Sequence, residues 1–274
     1  MLCYQTTLDV PRELIVYVAG LLRMERRRRR TRRGQRLLTP FRQAGFVLAW
    51  FRDGGDVERL GAGFGLSRAT AYRYRDEGIG VLAGQAPDLV DVMTAAVRDG
   101  LPFLILDGKL VAIDRLDEKK ISVKGREIDT WYSGKSHDFR GNIQALIRPD
   151  GIPLWTSEVC PGSVHDITAA RAHLLETVQH FLAELPILAD TGYQGAGHGV
   201  WIPVPQPKDG TELSDDIRAY NRLLRGLRFQ GERGFALMTG RWKILRHVTM
   251  SPRAITELAR CVLVLIQFEH KMIT

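Results

Sequence analysis

The sequence predicts an α/β fold, a mixed sheet with flanking helices, preceded by a small all-α domain. Three observations support this prediction. The first third of the chain carries helical periodicity, the middle carries short apolar runs of strand length, and the last third returns to helical patterns. Strands followed by helices are typical of a sheet whose faces are covered by helices. Residues 84–87 have the composition of a linker, so we expect domains at 1–85 and 86–274.

The composition indicates a globular chain. Of the 274 residues, 45% are hydrophobic and 26% are charged, which supplies enough apolar material for a core. The three cysteines, Cys3, Cys160 and Cys261, show no CxxC spacing, which argues against a disulfide framework and favours a reducing cytoplasm. The N-terminus has no signal-peptide pattern, and the apolar run 261–268 is too short to span a bilayer, so we expect no membrane partner.

The positive charge is unevenly distributed. The formal net charge is +8, and residues 1–85 contain sixteen Arg against eight acidic side chains. The remaining residues contain 23 basic and 23 acidic side chains, so the whole excess lies in the first third of the chain. Such an asymmetry indicates a basic module that meets a polyanion, attached to a neutral body.

The first predicted helix begins at Asp9, as a cap, with Pro11 in the first turn. Apolar residues recur at 15, 18 and 22, and the helix then enters a run of seven arginines in eight residues. Such a run is either a solvated helix end or a segment that contacts phosphates, and the residues alone leave both interpretations open. In the second interpretation the DNA contacts come from Arg26, Arg27, Arg28, Arg29, Arg30, Arg32 and Arg33.

Three short helices are predicted next, at 41–51, 57–63 and 68–77. A glycine turn separates the last two, and Ser67 is placed to cap the third. This arrangement is typical of a helix-turn-helix, although an ordinary helical hairpin has the same pattern. In the helix-turn-helix interpretation, the residues at the DNA are Ser67, Arg68, Thr70, Ala71 and Arg73.

The remaining elements alternate between strands and helices. After a helix at 88–98, strands are predicted at 103–107, 110–114, 119–123, 142–148 and 152–159, with a polar loop over 125–139. The Pro-Asp-Gly sequence at 149–151 predicts a hairpin turn. A long helix at 163–185, strands at 186–189 and 200–204, and helices at 214–228, 232–247 and from 251 complete the pattern.

Three acidic residues are candidates for catalysis. Asp107 and Asp190 each end an apolar strand, where a carboxylate costs free energy unless it is paired or metal-bound. If the two strands are neighbours, both carboxylates meet at the sheet edge where α/β folds bind ligands. Glu232, near the start of a predicted helix, would join them as a ligand of Mg²⁺ or Mn²⁺, and two such ions suit phosphodiester chemistry. A single strand-end Asp is more commonly a turn or cap residue, so the prediction depends on all three.

Other polar groups have simpler explanations. Ser163 and Asp166 match a capping box before a helix, which accounts for Asp166 without catalysis. His165 is a lone histidine, and its spacing to other histidines or cysteines does not suit zinc. A basic stripe at 218, 222 and 225 is equally well a DNA contact or a solvated helix face.

Seven short motifs occur in order along the chain: Leu-Asp-Gly at 106–108, Tyr-Ser-Gly-Lys at 132–135, Asn-Ile-Gln at 142–144, Pro-Gly-Ser-Val-His-Asp at 161–166, Ala-Asp-Thr-Gly-Tyr-Gln-Gly at 189–195, Gly-Glu-Arg at 231–233 and Trp-Lys-Ile-Leu-Arg at 242–246. In this order they resemble bacterial insertion-sequence transposases of the DDE superfamily, in the branch related to Harbinger elements. The resemblance implies a ribonuclease-H-like fold, a triad of Asp107, Asp190 and Glu232, and an N-terminal helix-turn-helix. It also implies terminal inverted repeats and target DNA as partners, a dimer or larger assembly on DNA, and a cytoplasmic, nucleoid-associated location.

Two positions depart from the pattern of that family. Lys109 stands where a small hydroxyl residue is common, and Thr239 stands where a basic residue is common. Lys243 falls on the predicted helical face of Glu232 and would supply the missing basic group toward DNA.

Transposition is therefore the expected function, with metal-dependent strand cleavage and strand transfer at the element ends. The alternative is a decayed or repurposed DNA-binding protein that uses only the basic module. A small-molecule phosphohydrolase would share the metal chemistry but gives no role to the basic N-terminal third.

Overall fold

Four helices form the N-terminal part of the chain. A computed structural model describes residues 8–32, 34–122 and 125–273. The four helices are α1 (Arg12–Arg28), α2 (Pro40–Asp53), α3 (Val57–Gly63) and α4 (Arg68–Ala83). Thr39 caps α2 and Asp56 caps α3, each through a side-chain oxygen that accepts from a backbone N–H of the first turn. The predicted helices are therefore present, and α4 continues past the expected end at 77 because Ile79 and Leu82 are buried.

The rest of the described chain is a mixed α/β unit. Its strands are β1 (Leu104–Ile113), β2 (Lys119–Ile121), β3 (Glu127–Asp129), β4 (Tyr132–Ser133), β5 (Asp138–Ile147), β6 (Pro153–Thr156), β7 (Cys160–Pro161), β8 (Ile187–Leu188), β9 (Val200–Trp201) and β10 (His247–Val248). Its α-helices are α5 (Leu89–Arg98), α6 (Asp166–His173), α7 (Leu175–Val178), α8 (Asp215–Ala236) and α9 (Ala254–Glu269).

The main sheet is mixed, with the strand order β4-β5-β1-β8-β9. β5 runs antiparallel to β1, whereas β8 and β10 run parallel to β1 and β9 runs parallel to β8. β6 and β7 add to β5, and β2 and β3 form a separate hairpin. Helices cover the sheet, so the predicted α/β class is confirmed and the architecture is consistent with a ribonuclease-H-like fold.

Two apolar clusters pack against the sheet. One contains Leu104, Leu106 and Ile187 of the sheet together with residues of α5, α6 and α7. The other contains Ile105, Val111 and α9, and it continues into α1, α2 and α4. The N-terminal helices therefore share one core with the C-terminal helix. The division of the chain at residues 85 and 86 remains a prediction.

Asp9 does not cap α1, contrary to the prediction. The helix begins at Arg12 after Pro11, without a side-chain cap. The Asp9 carboxylate instead accepts hydrogen bonds from Arg52 at 2.9 Å and Arg241 at 2.7 Å. Two guanidinium partners offer stronger hydrogen bonds than a backbone N–H, so Asp9 links the start of the chain to α2 and to the segment before α9.

Two predictions about strands and one about a helix need correction. The two strands expected at 103–107 and 110–114 are one strand, β1, because Gly108 keeps its ladder pairing opposite Gln144 of β5. The polar loop expected over 125–139 contains β3 and β4 and the start of β5. The helix expected over 163–185 breaks at Leu174, whose φ of −144° is not helical.

The two helices expected around Glu232 are also wrong. α8 is continuous from Asp215 to Ala236, so Glu232 lies near its end and not at the start of a second helix. A π-turn (Leu237–Arg241) and a 3₁₀ turn (Lys243–Leu245) follow. Lys243 therefore does not share a continuous helical face with Glu232, because the α-helix has ended before it.

Some predictions fall on residues outside the described ranges, namely Cys3 and Arg33. Cys160 and Cys261 are free thiols, and Cys261 is fully buried. In the part of the chain that the structure describes, no helix is both long and apolar enough to cross a membrane.

Candidate active site at the edge of the sheet

Asp107 lies inside β1 and is largely buried. Its side chain is 23% exposed, and its strand partner on β5 is Ala145. Burial raises the pKa of Asp107 to about 6, and the negative charges of Asp190 and Asp166 add to the rise. Arg228 opposes it, with Nη2 at 4.0 Å from Oδ1 of Asp107. Asp107 is thus a desolvated carboxylate without a close ion-pair partner among the described residues.

Asp190 stands beside Asp107 because their strands pair in register. In the parallel pairing of β1 with β8, Ile105 is opposite Leu188, and the two aspartates each follow two residues later. Asp190 then starts a 3₁₀ turn, where its Oδ1 accepts from the backbone N–H of Gly192 at 2.7 Å. The two strands are therefore neighbours, which is the condition under which their carboxylates meet, and Asp190 is close enough to raise the pKa of Asp107.

α8 crosses this edge of the sheet at close range. A Cβ atom at Gly231 would lie 3.1 Å from Ile105 and 3.6 Å from Oδ2 of Asp107, and one at Gly234 would lie 2.8 Å from Ile147. These glycines, which lower helix propensity, let the helix approach the strands. Glu232 follows Gly231 and is exposed on α8, four residues after Arg228. The structure therefore places Glu232 within one helical turn of residues that contact or approach Asp107.

Asp166 is a fourth carboxylate at this edge, and the sequence interpretation of it as a capping-box residue is wrong. α6 begins at Asp166 after His165, with no side-chain cap, and Ser163 Oγ donates to the carbonyl of Thr130. Because the helix starts at residue 166, the Ser163 side chain does not face the N–H groups of its first turn. The carboxylate of Asp166 is used elsewhere.

Two buried amides bind Asp166. Asn142 Nδ2 donates to its Oδ1 at 2.9 Å, and Gln144 Nε2 approaches the same oxygen at 3.4 Å. Both amides belong to β5 and point to the same face of the sheet because they are two residues apart. Two polar residues at this spacing in an otherwise apolar strand were the sequence signal for the site that the capping-box interpretation missed.

A cleft of about 500 Å³ opens beside these groups. Its lining includes Asp166, Lys135, Asn142 and Gly192. Lys135 is 79% exposed, and its Nζ lies 3.9 Å from Oδ2 of Asp166. The cleft therefore offers a cation and a carboxylate oxygen next to each other at the sheet edge.

The donor chemistry of the site suits a divalent cation. Asp107, Asp190 and Asp166 supply hard oxygen donors, and their mutual repulsion is relieved by a bound positive charge. Over residues 8–32, 34–122 and 125–273, however, no three or more His, Cys, Asp or Glu side chains are spaced to hold a metal ion. The fit of this edge to a divalent cation therefore depends on the chemistry of its oxygen donors.

The arginines of the predicted DNA-contacting run differ in burial and in their partners. Arg26 is half-buried and donates to Leu38 O at 3.0 Å and to Gln43 Oε1 at 2.7 Å, so its guanidinium holds the helices together. Arg28 and Arg29 both bind Glu25. Arg27, Arg30 and Arg32 are exposed.

The candidate DNA contacts on α4 also differ in how exposed they are. Arg68 and Arg73 are exposed, and Arg73 Nη2 donates to Thr70 Oγ1 at 3.1 Å. Ser67 stands at the N-cap position, and its hydroxyl donates to Thr70 instead of accepting from the backbone. Ala71 is fully buried, so its prediction as a groove-facing residue is wrong.

A cleft of about 1040 Å³ lies between the arginine run and the start of α4. Arg29 and Gln35 line it from one side and Ser67, Thr70 and Arg73 from the other. The segment after α1 and the start of α4 therefore border one open cleft, whose lining contains Arg29, Arg36 and Arg73 as well as Asp76 and Glu77.

Comparison with protein families gives one match. The model of the DDE superfamily endonucleases matches residues 106–267, more than half of the chain. The match begins one residue before Asp107 and includes Asp190 and Glu232. The comparisons with curated proteins and with solved structures find no match. The chain belongs to the DDE superfamily endonuclease family, and a divalent metal ion is the general cofactor of that family.

Proposed function

We propose, from this membership of the DDE superfamily endonucleases, that the protein is a transposase. It would bind the ends of a mobile DNA element and catalyse strand cleavage and strand transfer. The observation that carries the proposal is the register of β1 and β8, which sets Asp107 beside Asp190 inside the region that the family model matches.

Asp107, Asp190 and Glu232 would hold the metal, Mg²⁺ or Mn²⁺, as two ions. When bound, the ions supply activation of a water or 3′-hydroxyl and stabilisation of the leaving oxygen. The chain itself contributes burial and charge. Asp107 is desolvated, which strengthens its attraction to a cation, and Arg228 lies on the side of Asp107 that faces α8. Rotation of Glu232 about its side-chain bonds would bring its carboxylate from the α8 surface toward Asp107.

The basic surface of the N-terminal helices would hold the DNA ends. α4 would act as the recognition helix of a helix-turn-helix, with Ser67, Arg68, Thr70 and Arg73 at the groove. The exposed members of the arginine run, Arg27, Arg28, Arg29, Arg30 and Arg32, would contact phosphates, and Lys243 would add a contact near α8. Releasing counterions from these phosphates favours binding at low salt.

The partners of this proposal are terminal inverted repeats and target DNA, held by a dimer or a larger assembly. Two element ends must be joined to one target, so at least two active sites have to act together.

Cleavage of the DNA that flanks the reading frame tests the proposal. Duplexes from both flanks would be incubated with the protein, a plasmid target and Mg²⁺ or Mn²⁺. We expect nicks at inverted-repeat ends and joining of 3′-hydroxyl ends to the plasmid, both lost in Asp107→Ala. Specific binding without cleavage under any metal condition, unchanged in Asp107→Ala, would favour the second candidate, a DNA-binding protein that has lost catalysis.

A further inference from the structure

A chain of buried polar side chains leads to Asp166. Tyr193 OH donates to Gln144 Oε1, Gln144 Nε2 donates to Asn142 Oδ1 at 2.9 Å, and Asn142 Nδ2 donates to Asp166 Oδ1. Asn142 also donates to Val164 O at 3.1 Å. Tyr193, Gln144 and Asn142 are each no more than 1% exposed. Buried polar groups are costly unless they are hydrogen-bonded. This chain of hydrogen bonds, called the relay below, therefore holds the carboxylate of Asp166 with little freedom.

The hydrogen bonds of the relay run toward Asp166, whose carboxylate is the final acceptor. An ionised Asp166 can only accept, so both amides turn their NH₂ groups toward it and their carbonyl oxygens away. The last carbonyl, on Gln144, then accepts from the hydroxyl of Tyr193. Asp166 is also the first residue of α6, where the helix dipole favours a negative charge.

The second oxygen of Asp166 faces the candidate active site. A Cβ at Gly192 would lie 2.8 Å from Asp190 Oδ1 and 3.7 Å from Asp166 Oδ2. A Cβ at Gly108, the neighbour of Asp107, would lie 2.7 Å from Asp166 Oδ1. Asp166 thus lies close to Gly108, which follows Asp107, and to Gly192, which lies two residues after Asp190, and its side chain is 21% exposed at the cleft.

We propose that Asp166 is a further metal-binding carboxylate of this site, and that Asn142, Gln144 and Tyr193 are positioning residues that orient it. The inference rests on the proposed function, since it assigns a residue to the same metal site. Membership of an endonuclease family supports a metal there independently of the relay. The hydrogen bonds from the two amides hold Oδ1 of Asp166, while Oδ2 lies near Gly192 and 3.9 Å from Nζ of Lys135 at the cleft.

Mn²⁺ binding to the full-length protein, measured by calorimetry and by the rise in Tm on adding Mn²⁺, tests the inference without cleavage. We expect Asp166→Asn to weaken Mn²⁺ binding by about tenfold or more and to lose most of the Tm rise. Tyr193→Phe, which keeps the ring and removes the hydroxyl, should weaken binding by several-fold. Asp138→Asn, an exposed carboxylate on the same strand as Asn142, is the matched control and should bind as the wild type does.

The outcomes separate this inference from the proposed function. If Asp107→Asn weakens Mn²⁺ binding but Asp166→Asn and Tyr193→Phe do not, the role of Asp166 is overturned and the proposed site stands. If the wild type itself shows no Mn²⁺ binding, both are overturned. If Asp166→Asn does not fold, Tyr193→Phe decides, because an unchanged Mn²⁺ affinity in that variant contradicts the relay.

Discussion

Arg228 of α8 faces Asp107 of β1, with Nη2 of the guanidinium 4.0 Å from Oδ1 of the carboxylate. This separation is too long for a hydrogen bond, and the carboxylate stays desolvated. Burial consequently outweighs the attraction of the guanidinium, and the pKa of Asp107 rises to about 6. The pair links the strand that carries the first aspartate to the helix that carries Glu232.

The raised pKa of Asp107 predicts a pH-dependent cost to stability. Because the folded-state pKa of about 6 exceeds the ordinary value of 3.8, folding binds a proton between these pH values. Protonation of Asp107 therefore stabilises the folded state. This contribution to the free energy of unfolding is complete below pH 3.8 and is lost as the pH rises through about 6. Asp107→Asn should therefore stabilise the metal-free protein at pH 8 by up to about 3 kcal/mol, and much less at pH 4.

Urea unfolding of the metal-free wild type and Asp107→Asn at both pH values measures this difference. Asp99→Asn, an exposed carboxylate, serves as the control and should change stability equally little at either pH. An equal effect of Asp107→Asn at pH 4 and pH 8 would contradict the assigned environment of Asp107.

Removing the guanidinium of Arg228 should raise the pKa of Asp107 further. Arg228→Met keeps the aliphatic bulk against the sheet and deletes the charge that lowers this pKa. The measurement is a carbon-13 NMR titration of the Asp107 carboxyl in the metal-free protein. An unchanged or lower pKa in the variant would show that Arg228 does not face Asp107 in solution.

Glu232→Gln should abolish DNA cleavage without affecting the fold. Glu232 is exposed on α8, so the substitution should leave Tm within about 2 °C of the wild type. We expect the cleavage rate in Mn²⁺ to fall by at least about a hundredfold, the scale of losing a group that stabilises transition-state charge. Asp216→Asn, an exposed carboxylate in the first turn of the same helix, should cleave normally. Cleavage at a wild-type rate by Glu232→Gln would remove this residue from the site.

Arg73→Ala should weaken DNA binding in a salt-dependent manner. Arg73 is exposed at the start of α4 and lines the large cleft with Arg29. If it contacts a phosphate, its loss lowers the slope of log affinity against log salt by about 1. Arg98→Ala, an exposed arginine of α5 outside the N-terminal helices, should leave the slope unchanged. A slope that is equal in both variants would place the DNA elsewhere.

The general architecture was predictable from the sequence because its signals are local. The apolar runs before Asp107 and Asp190 predicted two buried strands, and the structure pairs these strands parallel to each other. The exact ends of the strands were not predictable. Gly108 looked like the end of a strand, but its pairing with Gln144 keeps β1 extended through it. A glycine within a strand is recognisable only once its partner strand is known.

The missed parts of the site depend on long-range contacts. Gly231 and Gly234 let α8 pack against Ile105 and Ile147, a contact between residues far apart in the chain. Asp166 matched a local capping pattern, but its hydrogen-bond partner Asn142 is 24 residues earlier in the chain. Local spacing cannot decide between a cap and a distant amide, because both satisfy the same carboxylate.

The rate of strand cleavage by Asp190→Asn shows whether the two neighbouring aspartates form the catalytic centre. An asparagine can still accept from the backbone of Gly192 through its amide oxygen, so the 3₁₀ turn is kept while one negative charge is removed beside Asp107. With Mn²⁺ and a duplex carrying the element end, we expect the wild type to cleave and the folded variant to be at least about a hundredfold slower. Equal cleavage by the wild type and Asp190→Asn would contradict this role of the two aspartates.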